Sequence, residues 1–350
     1  MPSAVPCYNC SLMKIAVLGL GFMGSTHLKA LKNIPDAEIT AVASFDEKQL
    51  TGDLSSVQGN LGGPGEVYDF STIGRYTNPE DAIADPNVEA VDICLPTDLH
   101  ASVTLAALRA GKHVLVEKPM ALNGAAADEM VAEAARSGKI LMTAQVLRFV
   151  PEYLVAARKV RNGDIGPVRS AIFRRRCSAP AWSQWLGDAS RSGGGVFDLL
   201  IHDVDMVLRM FGQPLAVSAS GHEDMSHGID VILAQFHFND SKSVIVTGGW
   251  HHPKAYPFSM EFTIVGDGAT LEYNSAVRPL TQYNAEGQEH VLELPAHDGY
   301  QAELEYFVEC ATQGKQPDLC PPAESSTAVK LAAAMVESRR RNGERIECLL

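Results

Sequence analysis

Short aliphatic and β-branched runs alternate with longer stretches of helical periodicity from Lys14 to about Gln145. The runs at 14–19, 38–44, 91–95, 113–116 and 140–144 predict strands, and 25–33, 101–110 and 125–137 predict helices. Strands alternating with helices at this spacing imply βαβ units and a parallel sheet. Residues 15–18 are apolar without a break, as burial on both faces of a sheet requires.

Beyond Gln145 the period changes. A helix over 151–161 leads through a glycine-bearing turn to a strand at 169–175. Segments 216–220, 229–238, 243–249 and 259–265 follow, several with the period-two alternation of an antiparallel sheet with one solvated face. Asn239-Asp240-Ser241 and Gly266-Asp267-Gly268 punctuate them as turns, and helices over 300–313 and 323–340 close the chain. The division is therefore a nucleotide-binding unit over 13–145 and a second α/β unit over 146–350, after a disordered extension over 1–12 with Met13 as an alternative start.

The length of 350 residues suits two domains, and 46% hydrophobic with 20% charged residues is ordinary for a globular protein. The formal charge of -13 disfavours nucleic acid or an anionic membrane surface and fits a small neutral substrate. Seven scattered cysteines read as reduced thiols of a cytoplasmic protein. Cys7 and Cys10 have CxxC spacing, but no second pair or nearby histidine completes a metal site, and none is expected. No signal peptide and no run of transmembrane length is evident.

Candidate chemistry gathers at strand ends. Gly19-Leu20-Gly21-Phe22-Met23-Gly24 stands between a strand and a helix. There Gly19 permits a tight turn, Gly21 lets backbone approach a pyrophosphate, and Gly24 allows close helix–strand packing. Ser44 ends the second strand with Asp46 beyond it, where ordinary loop polarity and contact with the adenosine ribose compete. Pro96, Thr97 and His100 emerge at the same sheet edge, with Thr97 as the expected helix cap and His100 either near the nicotinamide or a surface residue. Glu117-Lys118-Pro119 follows the next strand, where Lys118 would face an oxygen that develops charge. Behind Gly193-Gly194-Gly195, Asp198 and His202 stand one helical turn apart, a spacing that predicts a carboxylate–imidazole pair for proton transfer. Asp203 and Asp205 beside them raise metal ligation, which the divergence of adjacent helical residues disfavours. Trp182 and Trp185, with Arg174, Arg175 and Arg176 upstream, offer stacking and hydroxyl-binding groups, although core packing explains the tryptophans nearly as well. His297, Asp298 and Tyr300 open a helix and are further substrate candidates.

With Gly111-Lys112-His113-Val114, Arg148-Phe149 and Pro151-Glu152-Tyr153, these motifs in this order resemble the glucose-fructose oxidoreductase, inositol dehydrogenase and rhizopine catabolism (Gfo/Idh/MocA) family over nearly the whole chain. The resemblance implies an N-terminal Rossmann domain and a C-terminal α/β domain with a large open, mainly antiparallel sheet, through which homodimers or homotetramers form. It implies an NAD or NADP cofactor along Gly19, Gly21, Phe22, Met23, Gly24, Ser44, Asp46, Pro96, Thr97, His100, Glu117 and Lys118. It also implies Lys118, Asp198 and His202 as the catalytic set. Arg148, Trp182, Trp185 and Tyr300 are the candidate substrate contacts. Ser44 and Phe45 stand where many NAD-using members carry an acid and many NADP-using members add an arginine, so cofactor preference is open. The expected activity is oxidation of a secondary hydroxyl, or reduction of the matching ketone, in a sugar, cyclitol or related polyol. Glycoside cleavage through transient oxidation, and a non-catalytic sugar or dinucleotide sensor, are the alternatives.

Overall fold

Continuous apolar runs near the N-terminus form the interior of a sheet covered on both faces, as their lack of alternation requires. The computed structural model describes residues 12–59, 65–180 and 183–348. Cys7, Cys10, Trp182 and all of the expected extension but Leu12 lie outside them. The first part of the chain runs β1 (Met13–Leu18), α1 (Phe22–Leu31), β2 (Ala37–Ala43), β3 (Gly74–Tyr76), α2 (Pro79–Ala84), β4 (Ala90–Ile93), α3 (Thr97–Arg109), β5 (His113–Glu117), α4 (Gly124–Ser137) and β6 (Leu141–Ala144). The strands form one parallel sheet in the order β3-β2-β1-β4-β5-β6, a doubly wound Rossmann arrangement.

The second part runs α5 (Pro151–Asn162), β7 (Val168–Cys177), α6 (Ala189–Ser192), α7 (Ile201–Phe211), β8 (Ala216–Asp224), β9 (Ile229–His237), β10 (Ser243–Trp250), β11 (Ser259–Gly266), β12 (Ala269–Asn274), β13 (Arg278–Asn284), β14 (Glu289–Val291), α8 (Gly299–Gln313), α9 (Pro322–Arg340) and β15 (Ile346–Glu347). Its sheet has the order β14-β13-β12-β11-β7-β10-β9-β8-β15 and is antiparallel except where β7 and β10 run parallel. One face packs on α5, α7 and α9, while the other presents Ile172, Arg174 and Leu233 to solvent. Sequence periodicity did not predict β3, α2, β12–β15 or the short α6. β14 is exposed at all three positions and β13 opens on Arg278-Pro279, so their pairing partners, not their own apolar pattern, define them.

The last two long helices return to the first sheet. Leu304, Phe307 and Val308 of α8 join the core of Leu28 and Leu31 from α1. Ala328, Val329 and Ala332 of α9 share the other core with Ala127 and Met130 of α4. Between the sheets, α7 carries two buried aspartates, Asp203 and Asp205. Arg175 of β7 pairs with Asp203 through Nε at 2.8 Å and Nη2 at 3.1 Å. Arg148 pairs with Asp205 through Nε at 2.8 Å and Nη2 at 2.6 Å, and its Nη1 donates to Glu324 and the Leu319 carbonyl. The side chain of Arg148 is 1% exposed, so the expectation that it contacts substrate is corrected: its donors are spent inside the fold. Arg175 is likewise withdrawn from hydroxyl binding. Removing one partner of such a pair strands a buried charge. Arg148→Leu is therefore expected to cost about 3–5 kcal/mol of unfolding free energy in urea titrations, and Arg148→Leu/Asp205→Leu clearly less than the sum of the two single changes.

Candidate active site

The three motif glycines have different reasons to be there. Gly19 has φ +99°, and a Cβ would lie 2.5 Å from the Cys94 carbonyl oxygen. At Gly24 a Cβ would fall 1.8 Å from Gly19 O. Those two serve the packing of strand against helix. Gly21 is exposed and a Cβ there meets nothing within 4 Å, so its missing side chain leaves open space at the start of α1. The first turn of α1 holds no acid and its N-cap has no side-chain partner, which leaves the helix's positive end and free N–H groups to an anion. These residues fit a dinucleotide pyrophosphate.

Lys118 follows β5 at the same edge of the sheet, with a cis bond to Pro119. Its ammonium donates to the Asp198 backbone carbonyl at 2.7 Å and lies 3.2 Å from Asp198 Oδ1. Both side chains keep some access, at 13% and 22%. Asp198 sits in a π-helical turn, Val196–Leu200, entered through Gly193 and Gly194 at φ +76°. A Cβ on Gly194 would lie 2.5 Å from Asp230 Oδ2, whose carboxylate also accepts from Val196 N at 3.3 Å and pairs with Arg339.

His202 opens α7 directly after that turn. Burial, and then the charges of Lys118 and Arg175, push its pKa well below the ordinary histidine value, so the ring is a neutral imidazole at pH 7. Its Nδ1 is buried and makes no hydrogen bond with the described residues. The expected Asp198–His202 pair does not form. The π turn offsets the two side chains from regular helical stacking, and Asp198 is drawn to the lysine instead.

Several expected cofactor contacts are engaged elsewhere. Thr97 is not a cap: it begins α3 while Pro96 occupies the N-cap position, and Thr97 is 4% exposed. His100 is buried, with Nδ1 2.8 Å from Pro119 O and Nε2 2.8 Å from Leu95 O, so it cannot approach a nicotinamide. Ser44 donates to Gln49 Oε1 at 2.6 Å and accepts from Asp46 N at 3.1 Å, which commits its hydroxyl to the turn. Phe45, Asp46, Glu47 and Lys48 are the exposed groups beyond that strand end. Phe22 and Met23 are half-buried at the helix start. Trp185 packs partly buried against the larger core. Tyr300 lies 6.3 Å from the ring of His27 and packs against the Rossmann core.

Sequence reading missed a buried polar cluster beneath this edge. His27 of α1 is fully buried, with Nδ1 2.9 Å from Asp92 Oδ2 and Nε2 3.2 Å from Glu117 Oε1. Glu117, expected at the cofactor, is instead 5% exposed in this cluster. Glu303 of α8 is fully buried beside them with neither carboxylate oxygen partnered. An aspartate inside the apolar strand β4 was the one signal in the sequence.

With this geometry in hand, the comparisons with known proteins carry weight. The profile of the GFO/IDH/MocA oxidoreductase family with NAD-binding Rossmann fold matches residues 13–145, and that of the GFO/IDH/MocA C-terminal domain matches 153–272. The chain belongs to this family. It is 34% identical over 202 residues to myo-inositol 2-dehydrogenase of Thermotoga maritima, a match spanning 57% of this chain and 55% of that one. To 1,5-anhydro-D-fructose reductase of Ensifer adhaerens it is 30% identical, over 70% of this chain and 77% of that one. Levoglucosan dehydrogenase in complex with NADH and levoglucosan shares the fold at TM-score 0.83 and 19% identity, over 97% of this chain and all of that one. The protein is thus an NAD-binding oxidoreductase. No helix among the described residues is long and apolar enough to cross a membrane.

Two measurements check this description. Gly21→Val is expected to leave folding intact yet weaken NADH binding at least ~10-fold by fluorescence titration. Gly24→Val, by contrast, should unfold the domain. The second measurement concerns Glu303, whose pKa is held well above the ordinary glutamate value by burial, against the attraction of His27 and with repulsion from Glu117, Asp92 and Asp298. A raised folded pKa gives stability that is full at low pH and lost as pH rises through it. Melting temperature should therefore fall more steeply as pH rises above the ordinary glutamate range in the wild type than in Glu303→Gln, which keeps His27, Asp92 and Glu117 but cannot ionise.

Proposed function

We propose that this enzyme oxidises a secondary hydroxyl of a sugar, cyclitol or related polyol, or reduces the matching ketone, with Lys118 and His202 serving the reacting oxygen. The observation carrying the reading is the partly accessible Lys118 ammonium, held 2.7 Å from the Asp198 carbonyl, four residues before His202, whose buried Nδ1 has no partner among the described residues. Bound NAD supplies the hydride acceptor or donor. His202, held neutral, takes the hydroxyl proton during oxidation. Lys118 stabilises the negative charge that grows on the same oxygen. Asp198 fixes the ammonium through its carbonyl and carboxylate, a role different from orienting the imidazole. The polyol and sugar names of the relatives support the substrate class. The exposed Asp46 carboxylate near the end of β2 repels a 2′-phosphate and supports NAD over NADP.

We further infer a homo-oligomer built through the uncovered face of the nine-stranded sheet, where Ile172 is 45% and Leu233 48% exposed. Light scattering at micromolar concentration should give a dimer or tetramer mass, and a monomer would refute it.

The reaction is tested by following reduced cofactor across a panel of sugars and cyclitols with NAD and NADP. On the substrate found, Lys118→Ala and His202→Ala should each lose roughly 10²–10⁴-fold in turnover while still binding NADH. The double variant should be little worse than the poorer single one. Because the His202 pKa is lowered, the base stays competent as pH falls below 6.5, so the acid limb of kcat/KM should lie below that value. Wild-type turnover in His202→Ala would return the histidine to a structural role.

A further inference from the structure

Two buried histidines outside the reaction scheme grip the chain on either side of Lys118. Before it, His27 Nδ1 lies 2.9 and 3.1 Å from the two carboxylate oxygens of Asp92, and its Nε2 lies 3.2 Å from Glu117 Oε1, an ion-pair contact without the alignment of a hydrogen bond. The second Glu117 oxygen accepts the Lys118 N–H at 2.9 Å. After it, the His100 ring nitrogens lie 2.8 Å from the Pro119 and Leu95 carbonyls, and because burial lowers its pKa the neutral ring donates to one of the two at a time. The lysine backbone is thus tied to α1 and β4 on one side and to α3 on the other. From that base the ammonium meets the Asp198 carbonyl at 2.7 Å.

We propose that His27 and His100 are positioning residues for Lys118, fixing its backbone so that Nζ stands at the Asp198 carbonyl ready for substrate. The proposal rests on the reading of Lys118 as the cation at the reacting oxygen. Metal ligation and bulk stability each account for the two histidines less well. His27, Asp92 and Cys94 have the donor types of a metal site, and their ligand atoms lie within 4.8 Å of one another. A tetrahedral ion with bonds of about 2.0–2.1 Å would hold nitrogen and oxygen roughly 3.3 Å apart. The 2.9 Å separation is instead that of an ordinary N–H···O hydrogen bond. Stability alone does not account for the arrangement either, since apolar groups of similar volume commonly replace buried ion pairs without loss. What apolar groups cannot do is aim the Glu117 oxygen and the Pro119 carbonyl. A lysine needs such aiming, because a displacement near 1 Å at a reacting centre costs on the order of 10²-fold in rate.

The test compares His27→Gln, His100→Asn, Glu117→Ala and Glu117→Gln with the wild type. Its first readout needs neither cofactor nor turnover: the rate at which an acetyl N-hydroxysuccinimide ester labels the Lys118 amine, followed by peptide mass spectrometry in protein shown to be folded by its melting curve. Labelling should rise several-fold in His27→Gln, His100→Asn and Glu117→Ala as Nζ leaves Asp198. Glu117→Gln, which still accepts the Lys118 N–H, should stay near wild type. With substrate, kcat should fall ~10–10²-fold in the first three while the NADH dissociation constant stays within about twofold. Unchanged labelling in folded His27→Gln and His100→Asn would overturn the proposal, as would stoichiometric zinc in the wild type that His27→Gln loses. Full turnover in Lys118→Ala would defeat the reading of the reaction, whereas the labelling result would still decide whether the histidines position the amine.

Discussion

Helix α7 is held by two arginines, one from the large sheet and one from the turn that follows the parallel sheet, and the placement of the candidate site follows from that clamp. Asp203 and Asp205 are two residues apart, so on a helix they point to nearly opposite sides. Arg175 from the large sheet takes one and Arg148, just beyond the last strand of the parallel sheet, takes the other. Each charge is acceptable in the interior only because its partner is there. His202 immediately precedes the first aspartate, so the clamp fixes the helical turn that carries its ring.

The same location sets the electrostatics. The chain carries a formal charge of -13, yet His202 answers mainly to its burial and to two nearby cations, Lys118 and Arg175. A neutral imidazole near an ammonium is suited to accepting a proton while the cation stabilises the oxygen left behind. Asp198 is needed beside Lys118 for a complementary reason: an ammonium facing a partly enclosed site requires acceptors to hold it in one place. The π turn brings a carbonyl and a carboxylate of one residue to that ammonium.

Beneath the edge, Asp92, Glu117 and Glu303 surround a single fully buried imidazole, His27. Burial and the repulsion of neighbouring carboxylates raise the Glu303 pKa well above the ordinary glutamate value, and neither of its oxygens has a partner among the described residues. Helix α8 thereby contributes a buried acid to a cluster otherwise built from α1, β4 and β5. Residues from the far end of the chain thus complete the foundation of a strand edge formed near its beginning.

Sequence by itself determined the elements whose cause is local. An uninterrupted apolar run gave β1, and the spacing of Gly19, Gly21 and Gly24 gave the turn into α1, because backbone shape and two-sided burial are demands each segment meets alone. Lys118 was also legible, since a cation at a strand end followed by proline depends on its neighbours. Tertiary structure alone decided the partners. Asp198 reads as a mate for His202 at helical spacing, but the lysine 80 residues earlier claims it. Arg148 reads as a free donor until Asp205 and Glu324 consume it, and His27 reads as an ordinary helix residue until β4 and β5 bring carboxylates to both nitrogens. Periodicity reports which way a side chain faces, whereas the charge it meets there is supplied by strands and helices distant in sequence, and only folding brings them within hydrogen-bonding range.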